Sequence, residues 1–392
     1  MRSSAGGGLI SVDDHVIEPP HLWVDRAARA DRDRVPHVIE DDGVSVWVYG
    51  DKRITIPSLF AQAGREHDEI VPGLMSYTDM RPAYYDPAAR AEDMDVDGVI
   101  ASLCFPTIPR YCGQTFLEAP DRELALRCVR AYNDWTIEEW AGGAPGRFIP
   151  LVIVPLWDPP AAAAEVERCA SAGAKAVAFS ENPAKLGLPS LHDPAGYWDP
   201  LLSAINETGL PICIHFGSSS MVPTTSDDAP IFVSALLSPL NLTYAAADWL
   251  FCRKLERFTN LKICLSEGGI GWMPYIMERA EYVVDHMPWA RRYDPFDYGL
   301  SERDDPGPAS PRELFQRHIY GCFIDDRFGV DNLEAIGIDH VMMEADYPHG
   351  DGSFPHSLAN AERLLAGLDG VARYKVMQGN ARRVFDLPEP EG

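Results

Sequence analysis

The sequence predicts an α/β fold, a (β/α)8 TIM barrel with a β-hairpin-containing insertion after its first strand, and two observations predict it. Short β-rich runs alternate with helix-like stretches along the chain, the pattern of parallel strands joined by crossover helices. Several of those runs end in Asp, Glu or His, and the carboxyl ends of barrel strands are where catalytic groups gather.

The β-rich runs span residues 9–12, 98–105, 148–154, 174–179, 211–215, 261–265, 319–324 and 340–343. Between them, residues 122–140, 160–172, 198–208 and 273–285 carry apolar side chains near helical spacing. Eight strands with intervening helices suit a closed barrel better than an open sheet. A chain of 392 residues with 46% hydrophobic content fits one such domain with insertions, so 1–392 is read as a single domain with frayed ends at about 1–7 and 388–392.

The connection across residues 19–97 is too long for an ordinary loop. Residues 44–49 and 53–57, with Gly50 and Asp51 between, read as a hairpin. Because the insertion leaves from the carboxyl end of a strand, the hairpin is expected to form a partial lid. The Pro-, Asp- and Gly-rich stretch 289–311 is expected to be a second long excursion.

Charge narrows the partners. Lys and Arg total 34 against 59 Asp and Glu, a formal net charge of -25, which repels nucleic acid and anionic membrane surfaces. A small-molecule substrate is expected instead. The eight cysteines are scattered, with no C-x-x-C pair, so neither a zinc knuckle nor a disulfide framework is suggested. Residues 1–8 lack an apolar signal core, and no later stretch reads as a membrane span; the expectation is a cytoplasmic protein.

Asp13 and His15 end the first run, and alternate residues of a strand share a face, so both are expected to point into the barrel mouth. Alone, D-x-H is a weak signal and fits a solvated loop. The apolar run 211–214 ends in His215, which is costly there without a ligand or a hydrogen-bond partner. Glu267 ends the sixth run and Asp346 follows the eighth. Together these strand ends suit one divalent ion, while each alone also reads as a core residue satisfied by backbone. No P-loop, dinucleotide fingerprint, G-x-S-x-G elbow or H-E-x-x-H helix occurs.

The runs Val12-Asp-Asp-His-Val-Ile-Glu-Pro-Pro, Ser266-Glu-Gly-Gly-Ile-Gly-Trp, Ala345-Asp-Tyr-Pro-His and Gly379-Asn-Ala-Arg-Arg-Val-Phe resemble the amidohydrolase-related family, which includes aminocarboxymuconate semialdehyde decarboxylase and resorcylate-type decarboxylases. The resemblance implies a metal held by Asp13, His15, His215 and Asp346, with Asp346 also exchanging protons. Zn or Mn suits two imidazoles and two carboxylates. Glu18 is either a further ligand or a brace for the loop at Pro19. Where decarboxylating relatives commonly carry a histidine, this chain carries Glu267, which leans the reading toward hydrolysis through a metal-activated water. Non-oxidative decarboxylation of an aromatic or related acid is the alternative, and an inactive barrel serving as a binding protein is the third. His349 orients a ligand, binds substrate or caps its loop. Arg81, Arg279 and Arg327 are candidates to clamp a substrate carboxylate, against ordinary surface pairing. Asn380 reads as a cap for the last helix. A homodimer is carried from the resemblance alone.

Overall fold

The protein is described from a computed structural model, which covers residues 7–291 and 310–389. Most of the expected 289–311 excursion and most of the expected frayed ends lie outside the described residues.

Twelve strands are present among the described residues: β1 (Leu9–Val16), β2 (His37–Asp41), β3 (Val44–Tyr49), β4 (Lys52–Thr55), β5 (Val99–Pro106), β6 (Phe148–Ile149), β7 (Leu151–Val152), β8 (Ala176–Ala178), β9 (Ile212–His215), β10 (Ile263–Ser266), β11 (Ile319–Phe323) and β12 (Val341–Met343). Parallel pairing runs β1-β5-β6 and then β7-β8-β9-β10-β11-β12. Only Pro150 separates β6 from β7, because proline has no N–H to continue the ladder. All eight predicted runs are therefore barrel strands.

The barrel closes between the first strand and the segment after β12. Asp346 donates its N–H to the Asp13 carbonyl at 2.9 Å, and His15 donates to the Tyr347 carbonyl at 2.6 Å. Side chains reinforce the seam: Ser11 Oγ accepts from Ala345 N at 2.9 Å and Asp14 Oδ1 from Tyr347 N at 3.0 Å. Two sets of candidate ligands at opposite ends of the sequence are thus hydrogen-bonded backbone to backbone.

The crossover helices start and stop where the sequence says they should. In Pro87–Asp97, Asp86 caps the N-terminus by accepting from Ala89 N, Pro87 occupies the first turn, and Gly98 ends the helix at φ +75. A Cβ at Gly98 would also lie 2.5 Å from the Leu358 side chain, so glycine is required there on both counts. Helix Pro159–Ala172 uses the same device, with Asp158 as cap and Pro159 following it.

The insertion holds more than a hairpin. β2, β3 and β4 form a three-stranded antiparallel sheet; β2 was not anticipated, since His37–Asp41 ends in exposed acidic residues with no apolar face to betray it. This sheet packs outward from the barrel wall, with Trp47 edge-on to Trp23 at 5.3 Å and Tyr49 edge-on to Phe116 at 5.7 Å between ring centroids. What approaches the barrel mouth is the turn Ser58–Phe60 that follows it. Gln62 and Ala63 donate backbone N–H groups to the Pro348 carbonyl at 2.9 and 3.1 Å, and Gly350 donates to Leu59 at 3.1 Å. The expected lid is this turn rather than the hairpin.

One stretch tempers the expectation that no segment reaches bilayer length. Ile231–Phe251 is 21 residues long with mean hydropathy 1.2. It divides at Pro239 into helices Ile231–Leu237 and Leu240–Phe251, and Leu242, Ala245, Ala246, Trp249 and Leu250 of the second pack inward.

Candidate metal centre

Three strand ends bring four candidate ligands together. Asp13, His15, His215 and Asp346 are all buried. His15 Nε2 lies 3.8 Å from Asp13 Oδ1 and 3.1 Å from Asp346 Oδ1, and His215 Nε2 lies 3.6 Å from Asp13 Oδ2. Glu267 completes the ring, with Oε2 at 3.4 Å from His215 Nε2, and His349 Nδ1 lies 2.9 Å from Asp346 Oδ1. One ligand atom from each of Asp13, His15 and His215 falls within 4.8 Å of the others, and the same holds for His15, Glu267, Asp346 and His349.

The cluster is unfinished as a protein-only structure. Both oxygens of Asp13, both oxygens of Asp346, His15 Nε2 and His215 Nε2 are buried without a hydrogen-bond partner. Buried polar atoms are costly when unpaired, and such atoms gathered on these neighbouring side chains fit a cation. The His215 imidazole is prepared for it: Nδ1 lies 2.5 Å from the Phe216 carbonyl, which fixes the proton on that nitrogen and leaves the Nε2 lone pair for a ligand bond. Tyr111 stacks on the ring at 4.1 Å.

The electrostatics agree. Burial, aided by the neighbouring His349, lowers His15 to about 4, and burial with His15 nearby holds His215 well down, so both are neutral ligands near pH 7. Burial pushes Asp13 upward, with Glu344, Asp346 and Asp14 adding like charge. Glu267 rises for the same reasons, burial first and then Asp346, Asp13 and Glu344. Burial would raise Asp346 too, yet the His349 and His15 imidazoles outweigh it and hold that carboxyl low. A dication would relieve this crowding of carboxylates.

The backbone is bent to aim these groups. Glu267 and Asp346 adopt φ values of +58 and +55, conformations unusual for residues other than glycine. Between them, Glu344 turns its own carboxylate to accept the Glu267 N–H at 3.2 Å. Arg90, fully buried, donates Nη2 to the His15 carbonyl at 2.6 Å and lies 4.0 Å from the Tyr347 ring, holding both sides of the seam.

Other candidates lie elsewhere. The Glu18 carboxylate accepts from Thr107 N at 3.1 Å and Ile108 N at 2.9 Å, bracing the loop after β5. Arg81 pairs with Asp93 at 2.6 Å, Arg279 is exposed over the Tyr282 ring, and Arg327 pairs with Asp331 at 2.8 Å; none of the three faces the cluster. Asn380 donates to the carbonyls of Ile338 and Val341, tying the last helix to β12.

A cavity of about 150 Å³ opens on the cluster, lined by His15, Phe60, Pro106, Thr107, Arg110, Tyr111 and His349. A larger cavity of about 460 Å³ lies between the insertion sheet and residues 118–124 but contains none of the cluster residues; the chemistry assigns the smaller one. Phe60, Arg110 and Tyr111 were not anticipated. They lie in loops, where no strand or helix period marks which side chain turns inward.

A parallel barrel with Asp, His and Glu side chains clustered at the carboxyl ends of its strands is the arrangement of a metal-dependent barrel enzyme. The profile of the amidohydrolase family matches residues 21–387, and the chain belongs to that family. Among its relatives is the γ-resorcylate decarboxylase of Rhizobium radiobacter, 26% identical over 317 residues, covering 76% of this chain and 86% of the relative. Similar solved structures include an amidohydrolase from Mycobacterium avium subsp. paratuberculosis K-10, with a TM-score of 0.72 at 20% identity over 97% of this chain and 98% of that one. Another is a dihydroxybenzoic acid decarboxylase from Polaromonas sp. JS666 with bound manganese and the inhibitor 2-nitroresorcinol, with a TM-score of 0.63 at 19% identity over 97% of each chain. The γ-resorcylate relative is a decarboxylase, which favours the alternative of decarboxylation over the lean toward hydrolysis drawn from Glu267.

Proposed function

We propose that this enzyme removes the carboxyl group of a hydroxylated aromatic acid as CO2, without redox chemistry, at one divalent ion held by Asp13, His15, His215 and Asp346. The observation that carries the reading is the buried Asp and His cluster, with Asp13 and His215 Nε2 lacking hydrogen-bond partners, beside a cavity of about 150 Å³, a size that holds a single benzene ring. The decarboxylase relatives supply the reaction class.

When bound, the ion supplies a fixed positive charge for a substrate carboxylate and its neighbouring hydroxyl. The oxygen-rich donor set suits Mn as well as Zn, and Mn is preferred because Glu267 adds another carboxylate beside the cluster. Phe60 and Tyr111 bound the cavity with aromatic faces and keep water from the ring. His349 both lines the cavity and touches Asp346. That pair holds the proton delivered to the ring carbon as its bond to the carboxyl carbon breaks; the bonding electrons stay on the ring and CO2 leaves. Glu267 sits on the His215 side and steadies the ligand set.

The test is turnover of 2,6-dihydroxybenzoate and related hydroxybenzoates by Mn-loaded and Zn-loaded protein in D2O. CO2 release with one deuterium on the ring is expected, and His215→Ala should lose metal. Incorporation of solvent oxygen into product without CO2 would return the hydrolytic reading.

A homodimer in the cytoplasm completes the proposal. Ile231, Phe232, Leu236 and Tyr244 are 75%, 81%, 77% and 68% exposed, and no charged side chain occurs between Asp228 and Asp248. Two copies each carrying -25 approach most easily through an uncharged apolar face. All eight cysteines are free and buried, in keeping with a reducing compartment.

A further inference from the structure

We infer that Arg110 is a specificity-determining residue that selects substrates bearing a second carboxylate on the ring, distal to the one held at the metal. The inference rests on the aromatic-acid reading above and adds a substituent to it.

Arg110 lines the cavity that His15 and His349 also line, so a ring occupying that space has both the cluster and Arg110 as neighbours. The Arg110 backbone has φ +61. A side chain is disfavoured in that region, whereas glycine adopts it freely. Among the described residues, seven non-glycine residues have positive φ, and Arg110, Glu267 and Asp346 of these belong to the centre or its mouth, with Ser220 in contact with Arg110. Strain concentrated there points from backbone to function.

The guanidinium is placed and only partly used. Nη1 donates to Glu118 Oε1 at 2.9 Å and Nη2 to Ser220 Oγ at 2.5 Å. These contacts fix the plane of the fork from the loops after β5 and β9, while Nε has no partner among the described residues. Glu118 is shared: Lys52 of the insertion sheet pairs with its other oxygen. One carboxylate between two cations leaves the Arg110 guanidinium incompletely neutralised by its partner. A planar donor with spare N–H groups matches a carboxylate better than a neutral substituent.

Two matched probes test this on Mn-loaded protein: 2-hydroxybenzoate, and 2-hydroxyterephthalate, which adds a carboxylate para to the first. Calorimetric titration of wild type should show the dicarboxylate bound at least about 10-fold more tightly, the scale of one charge-assisted contact. In Arg110→Gly that preference should fall to near unity while Tm holds or rises, because glycine relieves the backbone; Arg110→Lys should keep part of the preference. A preference that survives in Arg110→Gly overturns the inference, as does a fall in Tm with both probes weakened equally, which marks a structural role. If neither probe binds wild type, the aromatic-acid reading fails and this inference with it.

Discussion

His349 Nδ1 lies 2.9 Å from Asp346 Oδ1 while the same imidazole stacks on His15 at 3.8 Å between ring centroids. One histidine thus meets the Asp346 carboxylate, the His15 imidazole and the cavity beside the candidate metal cluster. Burial works against the His349 cation, but Asp346 outweighs it and leaves its pKa raised, so the pair favours a proton shared between ring and carboxylate.

From this pair follows the first prediction. Asp346→Asn should lower kcat by at least ~100-fold, the scale of a lost general acid or base. His349→Gln should lower kcat with a smaller change in KM, because it leaves the four metal ligands in place. CO2 release and metal content measured together decide it. Normal kcat in both variants would move proton delivery to Glu267.

The second concerns pH and stability. Burial raises the Glu18 carboxyl from its ordinary 4.5 to about 8, against the Ile108 and Thr107 N–H donors that pull it down. The folded state therefore holds this proton more tightly than the unfolded chain. The contribution is full below pH 4.5, falls as pH rises, and is lost through about 8. Glu18→Gln cannot titrate. Its Tm should change less than that of wild type between pH 5 and pH 9; parallel curves would show that Glu18 is ionised throughout.

Third, the exposed face of Ile231–Leu237 should hold two copies together. Phe232→Glu with Leu236→Glu should shift the molar mass measured by light scattering from dimer to monomer at micromolar concentration, with metal content retained. A monomeric wild type would remove the dimer reading.

The core of the centre was legible because strand periodicity carries it: a two-residue repeat puts Asp13 and His15 on one face, and the apolar runs before His215 and Asp346 can only be buried strands. Asp14, on the opposite face, shows the same rule in reverse, with Oδ1 accepting from Ser11 Oγ at 3.0 Å and Oδ2 from Ser102 Oγ. The arginines were not legible. Arg81, Arg279 and Arg327 stood out by type, yet each is spent on a local partner, while Arg110 reaches the cavity from a loop whose direction depends on Glu118 and Ser220, the latter 110 positions away.

The sequence by itself determined eight parallel strands, the order of their helices and the four Asp and His side chains that gather at the strand ends, because burial and hydrogen bonding along a strand or helix repeat with a period that residue types reveal. Only the tertiary structure decided that Asp346 closes against Asp13, that Glu18 braces a loop, that His349 joins the cavity, and that the turn Ser58–Phe60 rather than the hairpin approaches the mouth. Those outcomes depend on contacts between segments far apart in the chain, fixed when the barrel closes and its buried polar groups take the partners that closure brings within reach.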